Sequence, residues 1–332
     1  MKKLTKAVVS AALAASLAVS AAVFTVNAEN TASKVRVVLK NENFPASQGA
    51  AWDGVLVDEW VTISDSDSAE SVLENTFTAK GYSIEISNYG YISEVNGLGE
   101  YDNNGNGGWM ISLNDWFTTD SASAYTVASG TLQDGDELVM QYTNSWGADC
   151  GSLYGVLDTS LKGLSFENAA LSAPFSQHNT NYVLSIDDET EIIKALPEAY
   201  NKNYQVRTYL NGYDPDVAGA EIKRTSSFTV ADGDVISIGV GNPTWPSMNS
   251  WVGTADETVY TVTVVCAAKH NFEQGDVDLN SLLSIDDATI VQRYLAEYED
   301  LDPNRYSIAD FDGDGIVTIF DVTAIQVKLA EA

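Results

Sequence analysis

Basic residues are scarce: seventeen lysines and arginines stand against forty-seven aspartates and glutamates, a formal net charge of −30. Such a chain repels polyanions, which disfavours nucleic acid and anionic membrane as partners, since both require a basic footprint. Histidine is scarcer still. Only His178 and His270 occur, neither near a nucleophile motif, so Ser-His or Cys-His catalysis has no support. Cysteine is limited to Cys150 and Cys266. Two isolated thiols make neither a redox pair nor a zinc site. In an exported chain they either bridge the two central modules or remain separate, and sequence leaves both open because it cannot bring their Cα atoms within about 7 Å. Beyond Ala28 no stretch approaches about 18 uninterrupted apolar residues, so no helical membrane insertion is expected.

What is there begins with a leader. Lys2, Lys3 and Lys6 precede an Ala/Val/Leu/Ser run ending in Val26-Asn27-Ala28, the pattern of a secretory signal peptide over residues 1–28, cleaved after Ala28. The expected product is secreted and extracellular, and loss of the three lysines takes its net charge to −33. No sorting motif or C-terminal anchor is evident, so attachment to a cell-surface complex is expected to run through a partner.

Near the other end the chain states one pattern twice. Asp276, Asp278, Asn280, Leu282, Ser284 and Asp287 recur thirty-four positions later as Asp310, Asp312, Asp314, Ile316, Thr318 and Asp321. Oxygen ligands at positions 1, 3, 5 and 12 of a twelve-residue turn, with the carbonyl of 7 (Leu282, Ile316) and a hydroxyl or water at 9, form the set a hard cation prefers; two calcium ions are expected. Each loop opens a helix, with apolar stripes Ile285, Ala288, Val291, Leu295 and Ile319, Val322, Ile325, Leu329 able to cover one another. Ser281 stands where the sharp turn usually takes glycine, implying strain or weaker binding, whereas Gly315 fits; the second loop is the safer site. Asp134-Gly135-Asp136 and Asp232-Gly233-Asp234 lack the position-12 carboxylate and are expected to be turns. Residues 273–332 hold fourteen acids and three bases, so a bound cation also has electrostatic work.

This duplicated loop and following helix, over residues 269–332, resembles the type I dockerin, which implies a small all-α module whose partner is a cohesin domain of a scaffoldin. In that family the residues just before the last ligand contact the cohesin. Here they differ between copies, so the resemblance implies one preferred orientation, through Ile319, Phe320 and Gln326 or alternatively through Ile285, Asp286, Gln292 and Arg293.

Two modules lie between leader and tail. Residues 29–156 alternate strand-like runs with one helix, capped by Asp67 and Glu70, striped by Ala69, Val72, Leu73 and Phe77 and ended by Gly81, an α+β pattern. The strings Gly107-Gly108-Trp109-Met110-Ile111-Ser112-Leu113-Asn114, Tyr125-Thr126-Val127 and Tyr142-Thr143 to Trp146-Gly147 resemble the β-grasp-like domain that closes cobalamin carriers. Cobalamin binding does not follow, because the carriers' helical barrel domain has no counterpart. Five of the seven tryptophans fall here, and the loop Gly99 to Gly108 sets amides and a carboxylate beside Trp109; Trp52, Tyr101, Trp109 and Trp116 are the candidates for a saccharide site, with core packing the competing account. Residues 157–268 carry seven short strands separated by turn residues, an all-β sandwich pattern. Leu161-Lys162-Gly163-Leu164-Ser165-Phe166, Asn181-Tyr182-Val183-Leu184 and Tyr260-Thr261-Val262-Thr263-Val264 resemble the cadherin-like sandwich of bacterial surface proteins, which implies a spacer.

The combined expectation is a multidomain, secreted, non-catalytic subunit docked through calcium onto a cellulosome-like scaffold and taking part in polysaccharide binding and catabolism. Two other classes stay open: a dockerin-borne hydrolase of glycosidic or peptide bonds, and a surface adhesin. Forty-seven acids always offer two carboxylates, so their presence does not argue for a glycosidase.

Overall fold

The structure, a computed structural model, describes residues 32–331 apart from 104 and 218; the expected leader, 1–28, and Asn104 of the Asn/Gly loop lie outside the described residues. The first strand, β1 (Lys34–Asn41), places Val35, Val37 and Leu39 on one fully buried face, as the period-2 pattern dictates. It pairs antiparallel with β2 (Gly54–Thr62). The helix α1 (Ala69–Ala79) follows. Its N-cap is Ser68 rather than the expected Asp67: Ser68 and Ser71 form the capping box, and Asp67 instead accepts from Ser71 Oγ and from the Ser64 backbone. Gly81, at φ 83°, follows the last turn as expected.

A three-stranded sheet, β3 (Ile84–Ile86), β4 (Ile92–Val95) and β5 (Leu98–Gly99), precedes β6 (Gly108–Leu113), β7 (Trp116–Phe117) and β8 (Glu137–Thr143). The main sheet runs β2-β1-β8-β6-β7, with β1 and β8 parallel and the other pairs antiparallel. Asn114 and Asp115, both at positive φ, make the two-residue turn joining β6 to β7. Val72, Leu73 and Phe77 of α1 bury against this sheet, each worth about 1.5–3 kcal/mol of transfer free energy.

Eight strands follow: β9 (Leu161–Glu167), β10 (Ala170–Leu171), β11 (Asn181–Ile186), β12 (Thr190–Ala199), β13 (Val206–Leu210), β14 (Phe228–Ala231), β15 (Val235–Val240) and β16 (Thr258–Cys266). They form the sheets β10-β11-β16-β15-β13 and β14-β12-β9. Leu161, Ile193 and Val230 of the smaller sheet share one core with Leu184, Ile236, Ile238, Val262 and Val264 of the larger, a sandwich-like arrangement. The two-residue β10 was not expected, being too short to show periodicity. Asp134-Gly135-Asp136 and Asp232-Gly233-Asp234 are the turns leading into β8 and β15, with Gly135 and Gly233 at positive φ.

The tail holds α2 (Ile285–Leu295), α3 (Pro303–Ala309) and α4 (Ile319–Glu331). The short α3 differs from the expected loop-and-following-helix plan, because it leads into the second loop. Its signal is Asp302-Pro303: Asp302 accepts from the Asn304 and Arg305 amides while proline sits in the first turn. Ala288, Val291, Val322 and Ile325 close the α2–α4 core.

Ser33–Ala332 form one compact unit. Between the first two modules Lys202 binds Asp115 at 2.6 Å, Lys223 binds Asp136 at 2.9 Å, and the Phe117 amide donates to the Lys202 carbonyl. Cys150 and Cys266 are free. Their Sγ atoms have different surroundings, Asn43 Nδ2 for Cys150 and the Asp187 carbonyl for Cys266, so the structure does not pair them.

Candidate metal centre

Each tail loop turns back on itself so that three carboxylates converge. Oxygens of Asp276, Asp278 and Asp287 lie within 4.8 Å of one another, and so do those of Asp310, Asp312 and Asp321. Backbone amides hold both sets in the same way. Asn280 N donates to Asp276 Oδ1 and Asp278 Oδ1, Ser281 N to Asp276 Oδ2, Leu282 N to Asn280 Oδ1 and Ser284 N to Asp287 Oδ2. Thirty-four positions on, Asp314 N donates to Asp310 and Asp312, Gly315 N to Asp310, Ile316 N to Asp314 and Thr318 N to Asp321. Asp287 and Asp321 also stand in the first turn of α2 and α4, where the helix dipole favours negative charge.

The surroundings differ. In the first loop Asp276 and Asp287 are fully buried and Asp278 nearly so; in the second only Asp321 is buried. Burial, and then the neighbouring Asp287 charge, raises Asp276 and pushes Asp278 up to about 7; burial raises Asp287. Among the described residues no lysine or arginine forms an ion pair with any of the six. Buried carboxylates with no ion-paired cation, Asp278 having only the Arg305 charge nearby, fit a bound metal ion, which supplies further counter-charge. The all-oxygen donor set is that of a hard divalent cation.

Backbone strain separates the loops too. Leu279 and Ser281 adopt φ 59° and 68°, where the second loop has Gly313 and Gly315 at 73° and 89°. Each non-glycine residue there costs about 1–2 kcal/mol. The expected strain at Ser281 is present and Leu279 adds to it.

Sequence reasoning missed the residues that fasten the first loop to the sandwich. Ser172 Oγ donates to the Asp278 carbonyl at 2.5 Å. Arg305, 1 % exposed, donates through Nε to the Val277 carbonyl at 2.9 Å and through Nη2 to the Ser172 carbonyl. Leu279 packs with Val265 and Ala267, and Ser185 Oγ donates to Asp302. Among the described residues the second loop has no such bonds to the sandwich, its outside partners being Gln274 and Tyr306 of the tail. Both expected partner-facing sets are at the surface: Ile319, Phe320 and Gln326 on α4, Ile285, Asp286, Gln292 and Arg293 on α2. Asp286 and Arg293, however, also line a cleft of about 920 Å³ against Asn181 and Val183 of β11.

The expected saccharide residues do not come together at the surface, and this is a correction. Trp52, Trp109 and Trp116 are buried; Trp52 stacks on Trp109 at 5.7 Å, and Trp116 meets Tyr125 edge-on. The indole N–H groups of Trp52 and Trp109 donate to the carbonyls of Val95 and Leu98, so these rings are satisfied core. Only Tyr101 is exposed.

Residues 66–144, from the approach to α1 through β8, match the family described as Domain of unknown function (DUF4430). No curated protein matches the chain.

Proposed function

We propose that the chain is a secreted, non-catalytic subunit whose tail binds two calcium ions and docks a cohesin domain of a scaffoldin, while the first two modules present a polysaccharide-binding surface. The observation that carries this reading is the pair of carboxylate triads, repeated at an offset of thirty-four residues with matching amide bonds and each set at a helix start. Calcium suits the oxygen-only donor set, and the two carbonyl positions, Leu282 and Ile316, complete it. The docking surface is assigned to the second repeat, Ile319, Phe320 and Gln326, with Ile316 beside them. Phe320 is 73 % exposed, and this set lies outside the cleft that the first repeat shares with β11.

The test is titration of the chain with an isolated cohesin domain in calcium and in EDTA. Binding in calcium that disappears in EDTA, and that Phe320→Ala weakens more than Arg293→Ala, is the expected result. Equal binding in both buffers, or none in either, refutes the docking reading. Release of sugar or peptide products by the same preparation replaces the non-catalytic reading with the hydrolase alternative.

A further inference from the structure

The first module and the sandwich enclose a cleft of about 260 Å³. Asn114, Trp116 and Gln133 form one wall; Arg207 of β13, with Glu221 and Lys223, forms the other. The second wall is anchored. Ile222, between Glu221 and Lys223, donates its amide to the Thr208 carbonyl at 2.7 Å, and Lys223 binds Asp136 of the first module at 2.9 Å.

Three polar groups around this cleft are left over. Trp116 is 6 % exposed, and its ring is core; unlike Trp52 and Trp109, however, it gives its indole N–H to no described residue. Glu221 turns Oε1 to Lys223 at 3.5 Å and leaves Oε2 without a partner. Arg207 forms no ion pair among the described residues. Gln205 Oε1 takes its Nε and Nη2, the Trp245 ring lies 4.3 Å from its Cζ, and its charge reaches the Tyr209 hydroxyl, itself unpartnered. Buried polar groups are nearly always satisfied, so an idle donor, an idle acceptor and a pre-oriented guanidinium around one cavity point to a ligand.

We infer that this cleft binds one neutral sugar residue, free or as the end of a glycan chain. Charge narrows the ligand. Glu221 and Asp136 disfavour an anion, and Arg207 and Lys223 disfavour a cation. A hydroxyl both gives and accepts hydrogen bonds, and those to charged partners are roughly twice as strong as neutral ones. Size narrows it further: the cleft falls below the roughly 300–1,000 Å³ of pockets for drug-sized ligands, which leaves room for one ring. Val206 and Pro246 supply apolar wall for its carbon face. Each wall comes from a different module, so the site exists only while the two are joined. This rests on and deepens the polysaccharide half of the proposed function and is independent of docking, because no residue of the cleft belongs to the metal centre.

The experiment is ligand-observed NMR titration of the full chain with glucose, galactose, mannose and xylose and with cellotetraose, mannotetraose and xylotetraose, glucuronate and glucosamine serving as the anionic and cationic arms. At least one neutral sugar is expected to bind, with glucuronate and glucosamine at least tenfold weaker. A tetrasaccharide that binds as its monosaccharide does places a chain end in the cleft; binding of the monosaccharide alone makes the ligand a free sugar. Trp116→Phe, which removes the N–H and keeps a ring, and Glu221→Gln, which keeps the shape, are each expected to weaken binding at least tenfold. Trp251→Ala, which removes the 85 % exposed indole of the sandwich, should leave it unchanged. Glu221→Gln carries the test if Trp116→Phe lowers the melting temperature. No neutral sugar bound, tighter binding of glucuronate or glucosamine, or binding that survives Glu221→Gln overturns the inference. A chain that holds long glycans yet ignores both substitutions refutes this site and leaves the polysaccharide reading standing.

Discussion

Replacing Arg305 with alanine tests how the tail is held. The guanidinium is 1 % exposed and satisfies two backbone carbonyls, Val277 in the first metal loop and Ser172 beside β10. Its ion pair with Glu299 is the lesser part, because at 3.4 Å it is long and Glu299 keeps Arg293 at 3.2 Å. Each carbonyl left dry costs about 1–3 kcal/mol. With the void added, the total falls near the roughly 3–5 kcal/mol typical of a broken buried charged network. At about 4–8 °C per kcal/mol for a unit of roughly 60 residues, the tail should melt roughly 12–40 °C earlier. Two optical signals separate the parts. All seven tryptophans precede residue 252, so indole fluorescence reports on the first two modules alone, whereas α2, α3 and α4 carry most of the helix seen at 222 nm. In saturating calcium the helical signal of Arg305→Ala should fall before the fluorescence, with the two closer together in the unaltered chain. A shift below about 1 °C, or the same separation in both proteins, would refute the role assigned to Arg305.

Calorimetric titration should count two ions for the chain and one for either Asp276→Ala or Asp310→Ala, with only the first of these also lowering the melting temperature of the sandwich. Ser281→Gly removes the strain at φ 68° and should stabilise the calcium-loaded tail by about 1 kcal/mol, read as a shift in denaturation midpoint; a loss of stability would contradict the strain argument. Burial, and then the Asp149 charge, pushes the Cys150 thiol up to about 12, so near pH 8 only about one molecule in ten thousand carries the thiolate. Alkylation of the native chain should therefore be slow and rise about tenfold per pH unit up to that value; rapid labelling at neutral pH would disprove it. Trp52→Ala opens the stacked pair with Trp109 and should cost about 3–5 kcal/mol of stability in urea titration, as a core residue does.

The strands of both central modules were largely legible, because their signals are local: alternation in β1, turn pairs such as Asn114-Asp115, and runs bounded by glycine. The acidic loops were legible for the same reason, the three converging carboxylates of each lying within twelve residues. Arg305 was not, since its acceptors are 28 and 133 residues away and are backbone carbonyls that no side-chain pattern announces. The tryptophans show a different limit. Sequence supplies an indole's chemistry but not whether its N–H finds a carbonyl indoors, and for Trp52 and Trp109 that partner decides burial. Trp146 was legible only as the end of the Tyr142–Gly147 string; its exposure comes from the structure.

The two acidic loops read as near-twins, yet among the described residues only the first is bonded to the sandwich. Ser172 and Arg305 stitch the first to the sheet while Asp310 and Asp312 of the second are more open, so closely similar chemistry is given unequal exchange with solvent. A chelator should strip the outer position quickly and the inner one only when the seam at Ser172 parts. The order of metal loss thereby becomes a clock for detachment of the tail.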